Sequence, residues 1–129
     1  MTLKDFMTTI KEKTEELGDV TKEKVNAWLD EYKKAIALLD TFGFKVGKFT
    51  FGMGIIPEIH SSISGSVENI REDGIKKMIE EHQEEKLLAS LLNALIIAKR
   101  VWEHVELQLT GVTLDIMLGA PPKIKIEFH

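Results

Sequence analysis

The chain has 129 residues, 43% of them hydrophobic, and a formal net charge of −4 from 17 basic and 21 acidic residues. A chain of this length and apolar content buries a core without staples, and the absence of cysteine removes disulfides, thiolate zinc sites, iron–sulfur clusters and cysteine nucleophiles together. Acidic and basic residues alternate with no basic stripe to neutralise a run of phosphates, so no nucleic acid is expected as a partner.

The opening segment MTLKDFMTTIKEK lacks the apolar centre of a signal peptide, and no lipidation motif is present. The longest greasy stretch, 87–98, is interrupted by Ser90 and Asn93. As helix it would reach about 18 Å against a bilayer core of about 30 Å, which excludes a transmembrane segment there. A cytoplasmic protein is expected.

Leu3, Phe6, Met7, Ile10, Thr14 and Leu17 recur at helical spacing, with Thr2 placed to cap and Gly18 to stop, predicting an N-terminal helix over 2–18. A second stripe follows in Val25, Trp28, Leu29, Tyr32, Ala35, Ile36, Leu39 and Phe42, closed by Gly43. There the apolar period changes from helical to alternating. Phe44 and Val46 hold one parity, Gly47 intervenes, and Phe49, Phe51 and Met53 hold the other, which predicts a β-bulge at the glycine. After Gly54-Ile55-Ile56-Pro57 the alternation resumes in Ile59, Ser61 and Ile63, completing a hairpin.

Ser66 is placed to cap a long helical segment from Val67 to about His104, sparse and charged at first and greasy from Leu87. Gly74 marks a point where it divides if it forms two helices rather than one. Val105, Leu107 and Leu109 then alternate, Gly111 shifts the phase, and Val112, Leu114, Ile116 and Leu118 lead into Gly119-Ala120-Pro121-Pro122. Ile124, Ile126 and Phe128 form the last strand.

The two hairpins match. Phe49, Phe51, Met53, Gly54, Pro57 and Ile59 correspond in spacing to Leu114, Ile116, Leu118, Gly119, Pro122 and Ile124. Either one unit was duplicated, or two amphipathic hairpins with similar turns look alike. The duplication reading predicts a single α+β domain over 1–129: a helix over 2–18, a first αββ unit over 19–64, and a second over 66–129 with an extended helical segment. Its four-stranded, mainly antiparallel sheet carries helices packed on one face, with the two turns related by a pseudo-two-fold axis.

The other face would present Glu58, His60, Asp115 and Lys125 among further polar residues. These types can hold a metal or move protons, but a wet antiparallel face needs polar residues at alternate positions regardless. The helix motif Glu-x-x-His fails at His82, where Ile79 stands three residues before it. No nucleophile elbow, phosphate loop or dinucleotide fingerprint occurs, so no catalytic residue, metal ligand or cofactor is assigned.

Two features exceed what a one-sided helix and ordinary turns require. The 87–98 stretch is apolar on most sides, which places Leu92, Ile96 and Ile97 on its flanks, for a partner or for the N-terminal helix to cover. The turns carry Ile55, Ile56 and Pro121 where polar residues are usual, an exposed contact patch unless the helices fold over the tips. The expected function is a small soluble interaction or assembly module, homo-oligomeric with a dimer favoured, that also has room for an unidentified protein partner. The alternative is a carrier of a small apolar ligand or lipid between sheet and helices.

Overall fold

The computed structural model describes residues 19–52, 57–119 and 122–129. The expected helix over 2–18 and the turn residues Ile55, Ile56 and Pro121 lie outside them. Among the described residues the fold is α+β. Helix α1 (Asp19–Asp40) leads to strands β1 (Lys45–Gly52) and β2 (Glu58–Ser66). A short 3₁₀ turn (Val67–Asn69) and helices α2 (Glu72–Glu81) and α3 (Lys86–Val105) follow, then strands β3 (Gly111–Leu118) and β4 (Lys123–Phe128).

The apolar spacing of α1 becomes a buried stripe: Val25, Leu29, Tyr32, Ala35, Ile36 and Leu39 are all core residues. The helix stops where the sequence places its glycine. Gly43 takes φ +81°, its N–H donates to the Asp40 carbonyl at 2.9 Å, and the Phe44 N–H donates to the Leu39 carbonyl at 3.1 Å. These two bonds satisfy carbonyls left free at the helix end, and the buried pair Phe44 and Leu39 packs beneath them. Lys45 pairs with Asp40 across the same corner.

The sheet is a meander in the order β1-β2-β3-β4, each strand antiparallel to the next. The expected bulge is present: the β1–β2 register shifts between Val46 and Lys48. Gly47 is the extra residue, so Val46 and Phe49 face one side while Lys45 and Lys48 face the other. Ile59, Ile63, Val112, Leu114, Ile116 and Leu118 are buried, and join buried residues of α1 and α3 in one cluster with Ile124, Ile126 and Phe128 at its margin.

The pairing in the two hairpins runs in parallel. Thr50 faces His60 and Phe51 faces Ile59 in the first, and Asp115 faces Lys125 and Ile116 faces Ile124 in the second. The strand order relates these hairpins by a displacement of two strands across the sheet, not by the two-fold axis that the repeat implied. A meander also brings both hairpin connections to the same end of the sheet, since β1 and β3 run alike.

The middle of the chain departs from expectation in two places. Between residues 66 and 104 there are two helices, and the break falls at His82–Glu85 rather than at Gly74, which lies in the first turn of α2. The alternation of Val105, Leu107 and Leu109 does not form a strand. Helix α3 runs to Val105 and ends where Glu106 adopts a left-handed conformation, φ 57°. The Trp102 indole N–H then donates to the Leu109 carbonyl at 2.7 Å, holding that segment against the helix end. Gly111 therefore opens β3 instead of interrupting it.

Candidate functional site: the open sheet face and the outer ridge of α3

Alternation places the even-numbered residues of β2 and the odd-numbered residues of β3 and β4 on the face opposite the core. The registers align them in rows across the sheet. One row runs Thr50, His60, Met117, Lys123, and the next runs Lys48, Ser62, Asp115, Lys125. A third contains Ser64, Thr113 and Glu127. Here Ser64 Oγ lies 2.7 Å from Thr113 Oγ1, which lies 2.8 Å from His129 Nε2, a polar ladder that ties three strands together.

The four polar candidates thus share one face but do not converge. Glu58 and His60 are neighbours along β2, with Oε2 and Nε2 3.8 Å apart, the Glu58 side chain exposed and that of His60 about half so. Asp115 stands directly opposite Lys125, in the row beyond His60. His60, Asp115 and Lys125, but not Glu58, border with Lys48 and Lys123 a shallow basin of about 450 Å³ that opens broadly to solvent. Proton transfer and transition-state stabilisation gain their strength from fixed groups in a water-excluded site. An open basin rimmed by exposed lysines lacks that enclosure. Among the described residues no three His, Asp or Glu side chains gather as a metal site would require.

The apolar candidates divide. Leu92 is wholly buried and Ile96 is 6% exposed, so both belong to the chain's own core. Ile97 is 53% exposed. One turn further along the same helix stands Val101, then Val105, both exposed, and Leu109 beyond the helix end is exposed as well. Residues four apart lie nearly above one another on a helix, so Ile97, Val101 and Val105 form a ridge on the solvent side of α3. Arg100 beside this ridge is anchored to Glu72 of α2, with Nη2 and Oε1 2.6 Å apart. Beyond the dense run 87–98 this thinner four-residue spacing is the one signal in the sequence for Val101 and Val105.

A second feature, a buried polar pair, carries no short-range signal in the sequence. Ser61 is the polar residue on the buried parity of β2, and the hydroxyl of Tyr32 donates to its Oγ, which donates in turn to the Lys48 carbonyl at 3.1 Å. Tyr32 also packs on Phe49, ring centroids 5.3 Å apart. Burial pushes the Tyr32 hydroxyl pKa up to about 12, against the lowering effect of its bond to Ser61. This relay ties α1, β1 and β2 together at the centre of the core.

A cavity of about 620 Å³ lies between α1, the start of α3 and the second hairpin, lined by Trp28, Leu87, Leu118 and Pro122 with Glu31 and Asn93. Glu31 Oε1 there accepts the Leu87 N–H at 2.6 Å, satisfying one of the free amides at the start of α3. Among the described residues no helix is long and apolar enough to cross a membrane. No protein-family model, no curated protein and no solved structure matches this chain.

Proposed function

We propose that this protein is a small soluble assembly module that acts as a homo-oligomer, in the first instance a dimer, with no catalytic activity identified. The observation that carries this reading is the exposed ridge of Ile97, Val101 and Val105 on α3. Single exposed apolar residues are ordinary, but a contiguous row on one helix face is a contact surface in want of a partner. The two matching hairpins are read as copies of one αββ unit with helices on one face, on the strength of their parallel pairing.

Sedimentation velocity or light scattering across a concentration series tests the assembly reading. A self-associating wild type is expected, with Ile97→Glu plus Val101→Glu giving a folded, more dissociated protein. A wild type that stays monomeric at high micromolar concentration refutes it.

A second reading, a carrier of a small apolar ligand, draws on the cavity beside Trp28, Leu87, Leu118 and Pro122, whose volume is in the range of small-molecule sites. Native mass spectrometry of the purified protein would detect a retained ligand, and repeated absence refutes that reading.

A further inference from the structure

Two strands bound the sheet, and they are unlike. The outer strand β1 carries the Gly47 bulge, which interrupts its register and makes its edge a poor template for another strand. The outer strand β4 is regular, pairing with β3 without a shift from Val112↔Phe128 to Met117↔Lys123. Gly111 and His129 exchange both backbone hydrogen bonds, each at 3.0 Å. That pair sets the alternation: Glu127, Lys125 and Lys123 direct their N–H and C=O groups toward β3, while Ile124, Ile126 and Phe128 direct theirs outward. Among the described residues no strand pairs with that outer side.

We propose that β4 pairs antiparallel with β4 of a second copy, with Ile126 opposite the partner's Ile126, so that the two sheets become one. This inference rests on the assembly reading and adds a strand seam to the contact that the α3 ridge offers. The register follows from the side chains. Centred on Ile126, it sets Lys125 opposite the partner's Glu127 and Ile124 opposite the partner's Phe128, each twice by symmetry. Every outward-facing residue of β4 then sits in a hydrogen-bonded pair.

The neighbouring registers are worse. Centring on Lys125 sets Glu127 opposite the partner's Lys123 but puts like charges together on the axis and leaves Phe128 facing Pro122, which has no N–H to give. Centring on Ile124 sets Lys123 against the partner's Lys125. Lysines on an edge strand ordinarily repel an added strand, and here Glu127 supplies the complement that turns them into a register code. Ile124, Ile126 and Phe128 are half-buried at the margin of the core, so the seam would cover apolar surface that one chain leaves partly wet. Because α3 packs on β3 and β4, the same axis brings the two α3 helices to the covered side of the seam.

The test is a charge exchange. Glu127→Lys and Lys125→Glu are purified separately, checked for fold by circular dichroism, and compared with wild type by sedimentation velocity. Each alone sets like charges across the seam and is expected to weaken the dimer by roughly tenfold or more. An equimolar mixture restores both opposite-charge pairs and is expected to form the heterodimer, seen by native mass spectrometry. Lys125→Glu also faces Asp115 within its own chain, so Glu127→Lys, which faces Thr113, decides the matter if the former unfolds.

Hydrogen exchange on the wild type gives an independent reading, with the amides of Ile124, Ile126 and Phe128 protected in proportion to dimer. A wild-type dimer indifferent to Glu127→Lys, with those amides exchanging freely, overturns the β4 seam and leaves assembly standing. A wild type monomeric at every concentration overturns both.

Discussion

Removing the hydroxyl of Ser61 leaves the buried hydroxyl of Tyr32 with no acceptor, whereas removing the hydroxyl of Tyr32 leaves Ser61 still bonded to the Lys48 carbonyl. Both residues are core, Tyr32 at 0% and Ser61 at 5% exposure. A stranded buried donor costs about 1–3 kcal/mol, while losing one net hydrogen bond costs about 1 kcal/mol. Ser61→Ala is therefore expected to destabilise more than Tyr32→Phe, and the double variant to cost less than the sum. Urea denaturation of the four proteins at neutral pH measures this, with each 1 kcal/mol moving the urea midpoint by roughly 0.3–1 M.

The same relay has a pH signature. The Tyr32 pKa is raised in the fold from 10.0 to about 12, chiefly by burial, so the unfolded chain ionises first. The stabilisation is fully present below pH 10.0 and is lost as pH climbs toward about 12, at about 1.4 kcal/mol per pH unit. Tyr32→Phe should lack that decline, so the gap between it and wild type closes as the solution is made alkaline. The chain has one tyrosine, so near-ultraviolet absorbance titration of the folded protein reads Tyr32 alone. A midpoint near 10, or Tyr32→Phe proving the costlier single variant, would refute the reasoning.

Leu92→Glu with Ile96→Glu is expected to abolish folding, as loss of the cooperative urea transition, because both side chains lie in the core and neither charge would have a partner there. Gly65→Ala would set a Cβ 2.6 Å from the ring of buried Phe44 and should cost about 1–3 kcal/mol in denaturant unfolding; an unchanged midpoint would mean the ring can retreat. Glu106→Gly relieves a non-glycine residue of its left-handed conformation at the end of α3 and should stabilise by about 0.5–1 kcal/mol, read as a raised thermal midpoint.

The elements that were legible in the amino-acid order are those that short-range chemistry decides. The stripe of α1 and its stop at Gly43 needed only helical spacing and a residue that tolerates positive φ. The Gly47 bulge announced itself because alternation changes parity there, and only an extra residue restores the facing. The polar identity of the open face, including Glu58, His60, Asp115 and Lys125, followed from the same alternation, which dictates orientation without reference to any distant residue.

What failed to read through was decided by competition between segments. Val105, Leu107 and Leu109 alternate as a strand would, yet α3 continues through Val105 and Trp102 claims the Leu109 carbonyl, because a helix already packed on the sheet extends at little further entropic expense. Leu92 and Ile96 had the hydrophobicity of an interface, but whether an apolar side chain meets its own core or another molecule depends on where the neighbouring elements lie.

The sequence by itself determined which residues turn inward along each strand and where α1 and β1 break, since those outcomes depend on local geometry and side-chain polarity. Only the tertiary structure decided that the hairpins stand side by side in a meander, that Tyr32 finds its acceptor in Ser61 at a distance of 29 positions, and that Ile97, Val101 and Val105 remain uncovered. Burial is a property of the assembled chain: each surface is removed from water by whichever segments arrive, and that competition leaves no mark in any single stretch of sequence.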